Sequence, residues 1–148
     1  MMDRRRELVD REEAAWIELH GALGAFRPEQ LEAASLNKEG WSPKDVMFHI
    51  GAWLAEAGKQ LERMCMGTFV ERELDTDELN ARWLEVSRSL DVETAKAELT
   101  SSRTRMLQAL EALPEITPKA QEWFEESGDV HYFEHLPELR AALVGEAR

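Results

Sequence analysis

Apolar residues recur at three- and four-residue intervals along most of this chain, the spacing that places side chains on one face of an α-helix. The intervals predict four main helices, over about residues 3–23, 43–66, 92–113 and 130–146. Shorter helical segments are expected at about 28–34, 76–89 and from 118 onward. β-Branched and aromatic residues do not alternate over any strand-length window, so we expect no β-strand. The pattern therefore predicts an all-α protein.

The second main helix has the clearest start and stop signals. Ser42 suits the N-cap, Pro43 suits the first helical position, and Asp45 has the spacing of a capping box. Gly67 suits the end of the helix. The segment that follows, together with the helix at 76–89, makes one long connection to the third main helix.

Four main helices with one long connection and otherwise shorter loops are typical of a four-helix bundle. A length of 148 residues fits a single domain, which we expect to span residues 1–148. Hydrophobic residues make up 43% of the chain, enough for a globular core. The composition therefore excludes an intrinsically disordered chain.

The chain carries 30 acidic against 18 basic side chains, a formal net charge of −12. Because phosphate backbones and anionic lipids attract lysine and arginine, we expect no nucleic-acid partner and no membrane partner. No apolar run is long enough for a transmembrane helix, and the N-terminal ten residues lack the apolar core of a secretory signal. The single cysteine cannot form an internal disulfide, so we expect a cytoplasmic protein.

The chain has four histidines, and three of them could share one metal ion. His131 and His135 form an H-x-x-x-H pair, whose rings lie about 40° apart on one helix face. His49 belongs to the inward stripe of its own helix and could supply a third ligand. Two alternatives to a metal site remain open. The H-x-x-x-H pair can be a chance pair on an exposed helix face, and a histidine on an apolar face, such as His49, is commonly a hydrogen-bonded core residue.

Other residues with possible chemical roles have weaker signals. Asp45 lies four residues before His49 and could orient its ring, although a capping role also explains it. Glu134 and Glu138 flank the H-x-x-x-H pair and are candidate general bases, although solvated glutamates are common on helices. Cys65 has no nucleophile motif around it, and we expect a buried side chain.

Three segments of the chain have distinctive sequences: G-W-S-P-K-D-V-M-F-H-I-G-A-W at 40–53, D-E-L-N-A-R-W at 77–83, and H-Y-F-E-H-L-P-E-L-R-A-A-L at 131–143. All three resemble segments of the DinB-like superfamily. The middle segment is most similar to the branch near the N-terminal domain of mycothiol-dependent maleylpyruvate isomerases. The three segments occur in the superfamily's order, and the resemblance covers nearly the whole chain.

This resemblance implies a bundle with up-down-down-up topology and a long crossover between the second and third main helices. It implies a divalent metal ion, typically zinc or nickel, with His49, His131 and His135 as ligands. It also implies a homodimer, and chemistry on small molecules that often uses a low-molecular-weight thiol. The C-terminal domain of those isomerases has no counterpart in this sequence, so we expect one domain only.

Two hypotheses about function follow. In the first, the chain is a metal-dependent enzyme that acts on a small-molecule substrate by thiol S-transfer, isomerisation or hydrolysis, with Glu134 or Asp45 as candidate catalytic residues. In the second, it is a non-catalytic stress-response or small-ligand-binding bundle, whose histidine cluster is structural or vestigial. An open pocket beside the histidines would favour the first hypothesis, and hydrogen bonds from His49 to protein acceptors would favour the second.

Overall fold

The computed structural model describes residues 3–146, except for the side chain of residue 146, and all the regular elements in that part of the chain are helices. They are α1 (Arg4–Gly24), α2 (Pro28–Leu31), α3 (Pro43–Met66), α4 (Thr76–Arg88), α5 (Val92–Ala112), α6 (Pro118–Ser127) and α7 (Asp129–Glu146). The expectation of an all-α protein is confirmed. The bounds of α1, α3, α5 and α7 lie within a residue or so of those predicted for the four main helices. None of the helices in the described range is both long and apolar enough to cross a membrane.

Capping interactions explain why α3 begins and ends where it does. The Ser42 hydroxyl accepts a hydrogen bond from the Asp45 amide at 3.1 Å, and the Asp45 carboxylate accepts one from the Ser42 amide at 2.9 Å. This reciprocal pair satisfies two amides that the first turn leaves without helical partners. At the other end, Gly67 adopts a φ of 75°, in the left-handed region that favours glycine.

Helices α3 and α5 pack closely and run parallel. A Cβ on Gly51 would lie 3.2 Å from the Leu99 α-carbon, and one on Gly58 would lie 3.4 Å from the Met106 amide nitrogen. The two glycines therefore allow the backbones to approach. Because the contacts advance along both helices in the same direction, the helices are parallel. A parallel pair needs a long connection, which the segment at 68–75 and α4 supply.

A buried carboxylate links α1 to α5 and α7. Glu12 is fully buried and accepts two hydrogen bonds from the Arg103 guanidinium, at 2.7 and 2.8 Å. It also accepts one from the Tyr132 hydroxyl, at 2.8 Å. Near the start of α1, Arg5 donates to the carbonyl of Leu113, just past the end of α5. The two contacts show that α1 runs antiparallel to α5.

The apolar core lies between these helices, as their stripes predict. Its most deeply buried large side chains are Leu8 and Leu19 of α1, Met47, Ile50, Leu54 and Leu61 of α3, Met106 and Leu110 of α5, Phe124 of α6, and Tyr132, Leu136 and Leu139 of α7. The prediction that Cys65 is buried is wrong, because its side chain is exposed. Cys65 lies in the last turn of α3, beside Ala112 at the end of α5, where the helix pair no longer covers it.

Candidate metal centre

The structure brings the three predicted histidines together. His49 lies in the second turn of α3, and His131 and His135 lie in the first two turns of α7. The Nε2 atom of His131 is 3.1 Å from the Nε2 atom of His49 and 3.1 Å from that of His135. One nitrogen from each ring lies within 4.8 Å of the other two, so the three rings converge on one point.

A sharp break between α6 and α7 sets the position of the histidine pair. A Cβ on Gly128 would lie only 2.7 Å from the carbonyl oxygen of Phe124, so the chain can pass this point closely only with glycine. The Gly128 carbonyl then accepts the amide of Tyr132 at 2.9 Å, which starts the new helix. The first turn of α7 thereby carries His131 towards α3.

Two of the three rings are buried and uncharged at neutral pH. His49 is 8% exposed and His131 is 7% exposed. Burial, together with the charge of a protonated His135, lowers the pKa of His49 to about 4. Burial and the two neighbouring rings lower the pKa of His131 to about 3. A neutral imidazole is the form that binds a metal ion, so both rings are ready to act as ligands.

One of the three outer nitrogens, Nδ1 of His135, makes the hydrogen bond that is typical of a metal-ligating histidine. Nδ1 of His135 lies 2.8 Å from the Glu138 carboxylate, so it carries the proton and leaves the Nε2 lone pair free. The buried Nδ1 atoms of His49 and His131 make no hydrogen bond with any residue in the described range. The Ser127 carbonyl faces the His131 ring and opposes the lowering of its pKa, but it lies outside hydrogen-bond geometry.

The contacts of His49 bear directly on the alternative that it is a hydrogen-bonded core residue. Its Nε2 atom has another histidine nitrogen as its partner, and its Nδ1 atom has no acceptor among residues 3–146. The lone pairs of neutral imidazole nitrogens that face one another repel unless a cation lies among them. The donor set therefore fits a divalent metal ion.

An open cavity of about 990 Å³ adjoins the three rings. That volume is at the upper end for small-molecule sites. Trp53 and Trp123 contribute apolar wall, and Trp41 packs edge-on against His49 with ring centroids 5.4 Å apart. Space for a small molecule thus lies directly beside the histidine cluster.

The remaining candidate residues differ in where the structure places them. Asp45 has one oxygen on the Ser42 amide and the other on the Ser87 hydroxyl at 2.7 Å, so its bonds hold α4 against α3 rather than orient His49. Glu134 lines the cavity and is exposed to solvent. Glu138 orients His135, a role that the sequence analysis did not assign, although the three-residue spacing of the two residues on one helix is a usable signal.

A comparison with protein families finds a match that covers most of the chain. The model of the mycothiol maleylpyruvate isomerase N-terminal domain matches residues 13–136, a span that includes all three histidines and the cavity wall on α3 and α6. No curated protein and no solved structure matches the chain.

Proposed function

Because the chain belongs to the mycothiol maleylpyruvate isomerase N-terminal domain family of the DinB-like superfamily, we propose that it is a metal-dependent enzyme acting on a small molecule. The reaction we propose is thiol S-transfer or isomerisation, or else hydrolysis. The observation that carries the proposal is the convergence of three Nε2 atoms, two of them on buried neutral rings, at the wall of an open cavity.

We propose that α1, α3, α5 and α7 form a four-helix bundle with up-down-down-up topology. The parallel packing of α3 with α5, and the antiparallel contacts of α1 with α5, support this arrangement. Contacts from Glu12 to Tyr132 and from Glu18 to Arg140 advance in the same direction along α1 and α7, as expected for the first and last helices of such a bundle.

His49, His131 and His135 would hold the ion, for which zinc and nickel are the expected identities. When bound, a divalent cation supplies positive charge that acidifies a neighbouring thiol or water near neutral pH. The protein's own part is to fix the three rings. Glu138 keeps the proton of His135 on Nδ1, and Trp41 packs against His49.

The wall of the cavity gives a substrate both apolar contact and a proton acceptor. Trp53, fixed by a 2.9 Å hydrogen bond from its indole nitrogen to Asn80, offers a rigid apolar surface. Glu134 precedes His135 on the cavity side, and its carboxylate would accept the proton that a thiol or water releases. A low-molecular-weight thiol is the expected co-substrate for S-transfer.

We further propose a cytoplasmic homodimer that binds neither nucleic acid nor membranes. Ile17 of α1 and Phe133 of α7 are exposed by 64% and 53%, and such side chains suit an interface between copies better than contact with water. Light scattering should give a mass near twice 17.0 kDa. A mass of one chain across a wide concentration range would refute the dimer.

The function is tested by metal content and activity measured together. Purified protein should bind about one equivalent of Zn²⁺ or Ni²⁺, and the loaded protein should speed the reaction of a small thiol with an electrophile. His131→Ala should lose both properties. His20→Ala, at an exposed histidine of α1, is the matched control and should retain both. Metal binding without any catalysis, across a panel of thiols and hydrolysable esters, would favour the non-catalytic alternative.

A further inference from the structure

The cavity beside the histidines continues as a groove along α3. His49, Trp53, Glu56, Gln60 and Arg63 all line it, and steps of three and four residues place these side chains on one helix face. At 1.5 Å per residue, the distance along the axis from His49 to Arg63 is about 21 Å. The groove is therefore far longer than the histidine cluster alone requires.

The opposite wall of the groove is formed by α6 and the segment at 68–75. The Lys119 ammonium pairs with Glu71 of that segment at 2.7 Å and with Glu122 at 3.2 Å, which holds the segment against α6. Ser127, at the end of α6, faces His131, and Lys119 lies eight residues earlier, about 12 Å along the helix. The ion pair therefore braces the end of the groove that is distant from the histidines.

The two ends of the groove carry opposite unpaired charges. At the histidine end, the carboxylates of Glu126 and Glu134 make no hydrogen bond or ion pair with residues 3–146. At the distant end, Arg63 lies in the last turn of α3 and Arg72 follows Glu71, and both residues line the groove with guanidinium groups that likewise have no partner in the described part of the chain.

The lysines of the groove differ from these arginines, because both lysines form ion pairs. Lys59 pairs with Glu56, and Lys119 pairs with Glu71. Two unpaired guanidinium groups in a chain of net charge −12 mark a local site for an anion.

We propose that the groove binds an elongated ligand whose distal phosphate pairs with Arg63 and Arg72 while its reactive end lies at the three histidines. This inference rests on the proposed function, and it narrows the substrate or co-substrate to molecules about 20 Å long. Two guanidinium groups match the double charge of a phosphate. The middle of the groove, with Trp53 and Trp123 in its walls, accommodates a less polar chain between the two ends.

Two thiols that differ at the distal end test the proposal. Coenzyme A has a long pantetheine arm between its sulfur and its phosphates, and pantetheine is the same arm without phosphate. Binding of each to the full-length protein, with and without added Zn²⁺, can be followed by fluorescence, since three tryptophans line the cavity and its groove. Coenzyme A should bind about tenfold more tightly than pantetheine, a factor that corresponds to about 1.4 kcal/mol.

Substitutions of the two arginines distinguish a specific phosphate site from a general disturbance of α3. Arg63→Gln and Arg72→Gln should each weaken coenzyme A and leave pantetheine unchanged. Arg88→Gln, at an exposed position outside the groove, is the matched control and should change neither. Equal affinities of the two thiols for the wild-type protein, no binding of either, or an equal loss of both in Arg63→Gln would overturn the proposal.

The same measurements distinguish a failure of this inference from a failure of the proposed function. If His131→Ala loses the metal but retains the preference for coenzyme A, the phosphate site stands independently of the metal centre. If the wild-type protein binds metal and shows catalysis but no preference between the two thiols, the proposed function stands and the phosphate site is wrong.

Discussion

Replacing Glu138 by alanine tests whether its carboxylate prepares His135 to bind a metal ion. The side chains of Glu138 and His135 are 29% and 18% exposed, and their 2.8 Å hydrogen bond fixes the ring orientation and keeps the proton on Nδ1. Loss of such an outer partner typically weakens metal affinity 10- to 100-fold. Converted at 1.4 kcal/mol per factor of ten, the expected loss is about 1.4–2.8 kcal/mol.

The matched control for this variant is Glu134→Ala, one residue before His135 on the other side. It removes the same charge close to the cluster but no hydrogen bond to a ligand. A competition assay with a chromogenic chelator measures the affinity for Zn²⁺, and a thermal melt shows that each variant is folded. Glu138→Gln, which retains an acceptor oxygen, should recover part of the affinity. If Glu134→Ala weakens the metal as much as Glu138→Ala, the effect is general electrostatics and the orienting role of Glu138 is refuted.

His135→Ala should lose the metal and keep its helical circular dichroism, since the apolar core does not depend on the site; an unfolded variant would contradict this. Glu12→Ala should lower the free energy of unfolding by about 3 kcal/mol in a denaturant titration, the low end for a broken buried pair, because Arg103 retains 20% exposure. As the pH falls from 6.5 towards 4, the free energy of unfolding of the metal-free protein should fall by about 1.4 kcal/mol per pH unit for each of two rings. The reason is that the lowered pKa values of His49 and His131 let these rings protonate readily only in the unfolded chain. A free energy of unfolding that stays constant over this pH range would contradict the pKa shifts. Duplex DNA should show no binding by anisotropy at physiological salt.

The helices were predictable from sequence because their causes are local. Apolar residues at three- and four-residue steps, the capping box at Ser42 and the glycine at 67 all act within a few residues. The same holds for His131 and His135, whose shared face follows from helix geometry. The contact of His49 with this pair could not be predicted from spacing, which left other roles for His49 open. Only the resemblance to a known superfamily predicted that the three rings lie together.

Features that depend on distant packing escaped the sequence analysis. The carboxylate of Glu12 lies in the inward stripe of α1, where the pattern gives its burial but not its partners, which are 91 and 120 residues away in the chain. The exposure of Cys65 depends on where α5 ends beside α3, which the periodicity of α3 alone does not contain. The role of Glu138 was within reach, since it needs only the three-residue spacing to His135.

Two polar clusters on α7 explain how the fold itself brings the three histidine rings together. Tyr132 is bonded to Glu12 and packs against the Trp16 ring, so one face of α7 is anchored to α1. His131, the preceding residue, is turned by about 100° around the helix and faces α3 instead. The direction in which α7 presents His131 therefore depends on a buried network that does not contain this histidine. Folding keeps His131 neutral at pH 7, where its ordinary pKa of 6.5 already leaves most unfolded chains uncharged, so holding this ring neutral costs little free energy at that pH. We therefore expect the chain to fold with the three rings in place whether or not a metal ion is added, which circular dichroism of the protein with and without Zn²⁺ would check.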